Sequence, residues 1–231
     1  MNKNYVIIGG SSGIGKELVN ILASQGDNVF ATYNENIVES HDTVQYQKYD
    51  VLNDSLDLDS LPDEIDGLVY CPGSINLKPF KRFTDEDYIS DFKLQVVGAT
   101  KVIKNLLTRL TAGSDSSIVL FSTIAVQNGF NFHSQVSMSK GAIEGLTRSL
   151  AAEFAPKIRV NAVAPSLTDT SLASKFLNTP QKLTAQSEKN PLKKIGAAKD
   201  VAEAAAYLLL DKSSWITGQI LHVDGGFSTI K

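Results

Sequence analysis

Val6-Ile7-Ile8-Gly9-Gly10-Ser11-Ser12-Gly13-Ile14-Gly15 is the stretch that decides the fold. A run of apolar, β-branched residues stops at two glycines, and an amphipathic segment opens at Gly13. Glycines at such a junction let the backbone turn sharply, approach a pyrophosphate closely and pack a helix against a strand. A helix that begins there aims its free N–H groups at the same spot, which favours an anion. Standing on strand–turn–helix at the head of the chain, the cluster reads as a dinucleotide cradle.

The remainder alternates in the same way. Strands are expected at Tyr5–Gly9, Asn28–Tyr33, Val44–Tyr49, Gly67–Cys71, Ser117–Ser122, Arg159–Ala164 and Gln219–Val223, with helices at Gly13–Gln25, Thr84–Leu110, Ser134–Phe154 and Asp200–Leu210. Thr84 followed by Asp85, Glu86 and Asp87 is an N-cap with acids at the positive end of the helix dipole. The pattern predicts an α/β fold: one Rossmann-type doubly wound domain over residues 1–231, with a seven-stranded parallel sheet and helices on both faces. Residues 34–62 have room for one strand and little helix. Residues 166–195 are long and polar after a strand end, which marks a lid over the ligand crevice.

Composition narrows the possibilities. The 231 residues are 42% hydrophobic and 20% charged, ordinary for a globular protein. A formal net charge of −3 gives no electrostatic reason for a nucleic-acid or anionic-membrane partner. No apolar run is long enough to cross a bilayer. Met1 to Asn4 lead straight into a strand without a signal-peptide core, and a single cysteine, Cys71, excludes an internal disulfide. A cytoplasmic location is therefore expected. Three histidines and one cysteine, widely spaced, do not make a structural zinc site, and no metal is expected.

Taken together, these segments resemble the short-chain dehydrogenase/reductase family nearly end to end. Its Thr-Gly-x-x-x-Gly-x-Gly turn is similar to Ile8 through Gly15, with Ile8 in place of the threonine. Asp50-Val51 resembles the pair beside the adenine; Ile158 through Pro165 resembles the sixth strand, and Ile216 through Gly226 the closing one. The resemblance implies that a nicotinamide dinucleotide contacts Gly9, Ser11, Ser12, Gly13, Ile14, Gly15, Tyr33, Asn34, Asp50, Val51, Cys71, Pro72, Gly73, Lys140, Pro165, Ser166, Thr168 and Thr170. Tyr33, flanked by Thr32 and Asn34, stands where a carboxylate would select NAD, so NADP is preferred over NAD.

The same resemblance implies catalysis by a Tyr-x-x-x-Lys pair. Here Lys140 is present, but the tyrosine position is Val136. The serine corresponds to Thr123 and the supporting helix asparagine to Gln95; the family's Asn-Asn-Ala-Gly is Tyr70-Cys71-Pro72-Gly73. An aliphatic side chain exchanges no proton, and loss of a positioned acid costs about 10²–10⁴ in rate. His133, three residues before Val136, is a candidate replacement because histidine titrates near neutrality. Lys140 acting through a water is another. Tyr70 reaching into the gap would remove the deficit. Ser137, Gly141 and Gly145 recur every fourth residue and read as a close-packing stripe.

Two functions follow. One is an NAD(P)(H)-dependent oxidoreductase acting on a small carbonyl or alcohol with a proton donor other than tyrosine. The other is a catalytically silent dinucleotide-binding protein with a regulatory or scaffolding role. Leu172, Phe176 and Leu177 in the lid imply some apolar contact with the substrate. The long helices at 84–110 and 134–154 resemble those that pair subunits, implying a homodimer or homotetramer.

Overall fold

A computed structural model describes residues 2–41 and 43–230. Its strands are β1 (Asn4–Ile8), β2 (Asn28–Tyr33), β3 (Val44–Lys48), β4 (Gly67–Tyr70), β5 (Ser116–Phe121), β6 (Ile158–Pro165), β7 (Thr168–Asp169), β8 (Gly196–Ala197) and β9 (Ile220–Val223). Seven of them form a wholly parallel sheet in the order β3-β2-β1-β4-β5-β6-β9. The order reverses between β1 and β4, so the loops leaving these two neighbours diverge to opposite faces and open a crevice at their carboxyl ends.

Alternation along the strands divides the core in two. Val6, Ile8 and Leu68 point to the face covered by α3 (Gly98–Ala112) and α4 (Ser134–Phe154). Tyr5, Ile7 and Val69 point to the face covered by α1 (Gly13–Ser24) and α7 (Ala198–Leu209). Burial on both faces explains why the strands read as nearly continuous apolar runs. Four expected carboxyl ends, Gly9, Tyr49, Cys71 and Ser122, fall just outside their strands; Gly9 has φ +78°, a left-handed conformation that leaves the strand, and Cys71 already belongs to the loop after Tyr70.

The segment expected as one helix from Thr84 is interrupted. It runs as α2 (Asp85–Phe92), a π-helical turn at Lys93–Val97, and α3. The start is as expected: Thr84 Oγ1 accepts from the Asp87 amide at 3.2 Å, and Asp87 accepts from the Thr84 amide at 2.9 Å. In the π turn the Leu94 carbonyl accepts from the Tyr70 hydroxyl at 2.6 Å, and a Cβ at Gly98 would collide with that hydroxyl. A wider turn inserts one residue into the helix and changes which side chains face inward.

The expected lid is an excursion with its base tied. β7 and β8 pair in parallel, Thr168 with Gly196 and Asp169 with Ala197, and between them lie α5 (Ser174–Leu177) and α6 (Pro180–Lys189). Lys175 Nζ donates to the Ile75 carbonyl at 2.8 Å, and Asn190 Nδ2 to the Asp224 carbonyl at 2.9 Å. The close-packing stripe on α4 is not realised within the chain: a Cβ at Gly145 would meet nothing within 4 Å, and one at Gly141 only Val126 at 3.8 Å.

Arg159 on β6 holds the end of α7. Its guanidinium donates to the carbonyls of Leu208, Leu209 and Leu210 and to Ser213 Oγ at 2.7–3.3 Å. It shares them with other donors, the Ser117 and Ser213 hydroxyls at Leu208 and the Ser213 amide at Leu210, and adds the charged donor to this cluster. Arg159→Leu should therefore lower the unfolding free energy by about 2–4 kcal/mol, measured as a shift in the urea midpoint at unchanged slope.

Candidate active site

The cradle is built from backbone. Gly15 passes so close to Gly9 that a Cβ there would collide with the Gly9 carbonyl oxygen. The Gly9 amide donates to Thr32 Oγ1 at 3.0 Å, and the Gly10 amide to the Thr32 carbonyl at 2.9 Å. Thus Thr32, from the neighbouring strand, braces the turn that Ile8 cannot brace. Ser12 is the N-cap of α1 but makes no side-chain capping bond, so the first-turn amides beside Ser11, Ser12 and Ile14 are not closed off by it. A Cβ at Gly13 (φ +51°) would stand 3.4 Å from the Thr170 methyl, which sets the lid directly against the turn.

Tyr33 is half-buried and Asn34 exposed where β2 ends. Asp50 accepts from the Leu52 amide at 2.9 Å and from Asn53 Nδ2 at 2.8 Å, bonds that hold its carboxyl below the usual range. The adjacent Val51 is buried. Across the sheet reversal, Cys71 and Pro72 abut Gly9: a Cβ on that glycine would meet Pro72 Cδ at 3.3 Å and Cys71 Cβ at 3.4 Å. Burial pushes the Cys71 thiol up to about 12, although Lys140 pulls the other way. The thiol is therefore protonated at neutral pH.

Gly73 marks the meeting point. A Cβ there would lie 3.4 Å from Gln95 Oε1 and 3.7 Å from Lys140 Nζ. Desolvation pushes Lys140 down to about 8, opposed by Asp91 and Cys71. Gln95 is 1% exposed; its Nε2 donates to both Asp91 oxygens at 2.8 Å, while its Oε1 has no partner. Asp91 also accepts from Ser139 Oγ at 2.6 Å and from Ser74 Oγ. Sequence reasoning missed this carboxylate and its Ser139 partner. The available signal was Asp91 and Gln95 four residues apart, two polar side chains on the inward stripe of a helix.

The other candidates separate. Val136 is 6% exposed and apolar. Thr123, just past β5, accepts from the Ala125 amide at 3.3 Å. His133 precedes the first turn of α4, bonds the Asn131 carbonyl through Nδ1 at 2.8 Å and packs its ring 5.3 Å from Phe130. That ties it to the preceding loop. Tyr70 does not reach the gap, because its hydroxyl is committed to Leu94 and burial raises its pKa far above the ordinary value. Ser137 donates to the Ala125 carbonyl. Pro165 ends β6 against Val223; Ser166 and Thr168 lie where the 166–195 excursion leaves β6, and Thr168 Oγ1 donates to the Ser166 carbonyl at 3.0 Å.

A family model described as Enoyl-(Acyl carrier protein) reductase matches residues 9–228. The chain belongs to the short-chain dehydrogenase/reductase family. It is 33% identical over 245 aligned residues to the uncharacterized oxidoreductase YmfI of Bacillus subtilis (strain 168), covering 98% of this chain and 99% of that one. L-xylulose reductase of Bos taurus is 31% identical over 234 residues, with 97% and 96% covered. The solved structure of ElxO with NADP bound superposes with a TM-score of 0.87 at 25% identity, with 100% of both chains covered.

This is an NAD(P)-dependent oxidoreductase family, and the cradle fits such a cofactor. Glycine at 15 lets the start of α1 press against the Gly9 carbonyl, which keeps the turn tight and its amides outward, and Gln95 Oε1 and Lys140 Nζ converge on Gly73. Gly15→Ala should abolish dinucleotide binding in calorimetry, because the new methyl group displaces the turn that positions the α1 amides.

Proposed function

We propose that this protein is a cytoplasmic NADP(H)-preferring reductase of a small carbonyl compound, working in the reverse direction on the alcohol, with Lys140 as proton donor in place of a tyrosine. The observation that carries this reading is the desolvated Lys140 Nζ beside Gly73, pushed down to about 8. An ordinary lysine near 10.4 is too weak an acid for neutral pH, whereas one near 8 is matched to it. When bound, a reduced nicotinamide supplies the hydride. Gly9, Ser11, Ser12, Gly13, Ile14 and Gly15 would hold its phosphates, and Asp50, Val51, Tyr33 and Asn34 its adenosine end. Cys71, Pro72, Gly73, Pro165, Ser166, Thr168 and Thr170 would enclose the nicotinamide half. Thr123 Oγ1 would orient the substrate oxygen, and Lys140 would deliver a proton to it, directly or through a water. His133 is held by the Phe130–Asn131 loop and takes no part. The lack of a carboxylate at the end of β2 supports NADP, and a homodimer or homotetramer is supported by the open small-residue face of α4.

Carbonyl reduction needs the ammonium form. Its rate should be flat below about 8 and fall as the pH rises through that value, while alcohol oxidation rises through it. Steady-state rates with NADPH across pH 6–10 check this, and Lys140→Met should remove turnover.

Val136→Tyr would place a phenol one helical turn from Lys140. It should raise kcat by roughly 10²-fold, with Val136→Phe as the control for bulk. If wild type and Val136→Tyr both bind NADPH yet reduce no ketone or aldehyde, the silent dinucleotide-binding protein is the correct reading.

A further inference from the structure

Asp91 is a carboxylate without a conventional partner. It is 4% exposed, and its hydrogen-bond donors are all neutral: two hydroxyls, from Ser74 and Ser139, and the amide of Gln95. Among the described residues no lysine or arginine lies within ion-pair distance of it. The contrast with Glu144, also buried, is direct: Glu144 takes the Ser122 hydroxyl at 2.9 Å and pairs with Arg148 at 3.2 Å. A buried charge with only neutral donors is costly unless a cation close by compensates it.

The groups around Asp91 identify that cation. Ser139 adjoins Lys140 in the chain, and Gln95 holds Asp91 through one end of its amide while the other end shares the Gly73 position with Lys140 Nζ. The remaining groups nearby are accounted for. Cys71, from the loop after β4, is a protonated thiol; Glu144, one turn along α4, is engaged with Ser122 and Arg148; Asp87, one turn back on α2, is paired with Lys78 at 2.8 Å.

We propose that Asp91 is a positioning residue for Lys140: its carboxylate, pinned by Ser74, Gln95 and Ser139, is the counter-charge that keeps the Nζ group an ammonium beside Gly73. This rests on the reading of Lys140 as proton donor and explains how a desolvated amine stays loaded. It makes Asp91 the group that sets the upper pH limit of the reaction. Asp91 also lines a pocket of about 420 Å³ with Ser74, Thr84, Asp87, Leu94 and Gln135, so a small ion has a way to it along α2.

The test is a titration of Lys140 itself. With ¹³C-labelled lysine and aspartate in the cofactor-free protein, the Lys140 Cε signal, assigned through Lys140→Arg, should titrate near 8. The Asp91 Cγ signal should inflect at the same midpoint, a readout that needs no variant of Asp91. Asp91→Asn should lower the Lys140 midpoint by roughly one pH unit or more and move the high-pH limb of kcat down equally, with KM unchanged. In Asp91→Ala, formate entering the pocket should restore the midpoint. A Lys140 midpoint unmoved in folded Asp91→Asn, or an Asp91 signal blind to the Lys140 titration, overturns the proposal. If the wild type reduces no carbonyl, the proton-donor reading fails, while the two NMR signals still decide whether Asp91 is the counter-charge.

Discussion

All seven strands of the main sheet run the same way, and the organisation of the site depends on that constraint. Parallel pairing places every strand's carboxyl end at one edge, so the loops after β1, β2, β4, β5 and β6 all empty there. Crossover connections of one hand then place α1 and α7 on one face, α3 and α4 on the other. The reversal between β1 and β4 leaves Gly9 and Cys71 side by side where the loops of the two strands part. A nucleotide crevice is the geometric remainder of this winding, and glycine is required where the two backbones come closest.

Within that crevice the balance is electrostatic. Lys140 is drawn toward the neutral form by desolvation and toward the ammonium form by Asp91, and the first effect is the larger. Neither would matter on a wet surface, where water levels such differences. The π turn contributes by bringing Gln95 inward to clasp Asp91 while Tyr70 is drawn away to the Leu94 carbonyl. A phenol within reach of the sheet edge is thus spent on helix packing, and the polar chemistry collects around a lysine and a carboxylate.

Much of this was legible in the residues. The strand positions, the glycine turn, the Thr84 cap and the lysine on α4 all follow from local pattern, because periodicity, turn chemistry and dipole complementarity are short-range effects. The 166–195 excursion was legible as a long polar segment, but not the β7–β8 ribbon, since two-residue strands carry no period. Thr32 bracing Gly9 could not be read either; a strand residue gives no sign of what its hydroxyl meets on the neighbouring turn. The α4 stripe finds no partner within the chain for a related reason. Small residues at four-residue spacing permit close packing, but only the surrounding elements determine whether anything fills the space, and at Gly145 nothing in this chain does.

By itself, then, the sequence determined a doubly wound α/β domain, a glycine-rich turn of dinucleotide-binding type and a long helix that carries Lys140 with Val136 one turn before it. Only the tertiary structure decided that His133 belongs to the preceding loop, that Tyr70 is occupied elsewhere, and that Asp91 is gathered in by Gln95 and Ser139. The physical reason is distance along the chain. Asp91 and Ser139 are 48 positions apart and joined by one hydrogen bond, and no local pattern encodes such a contact before the two helices pack.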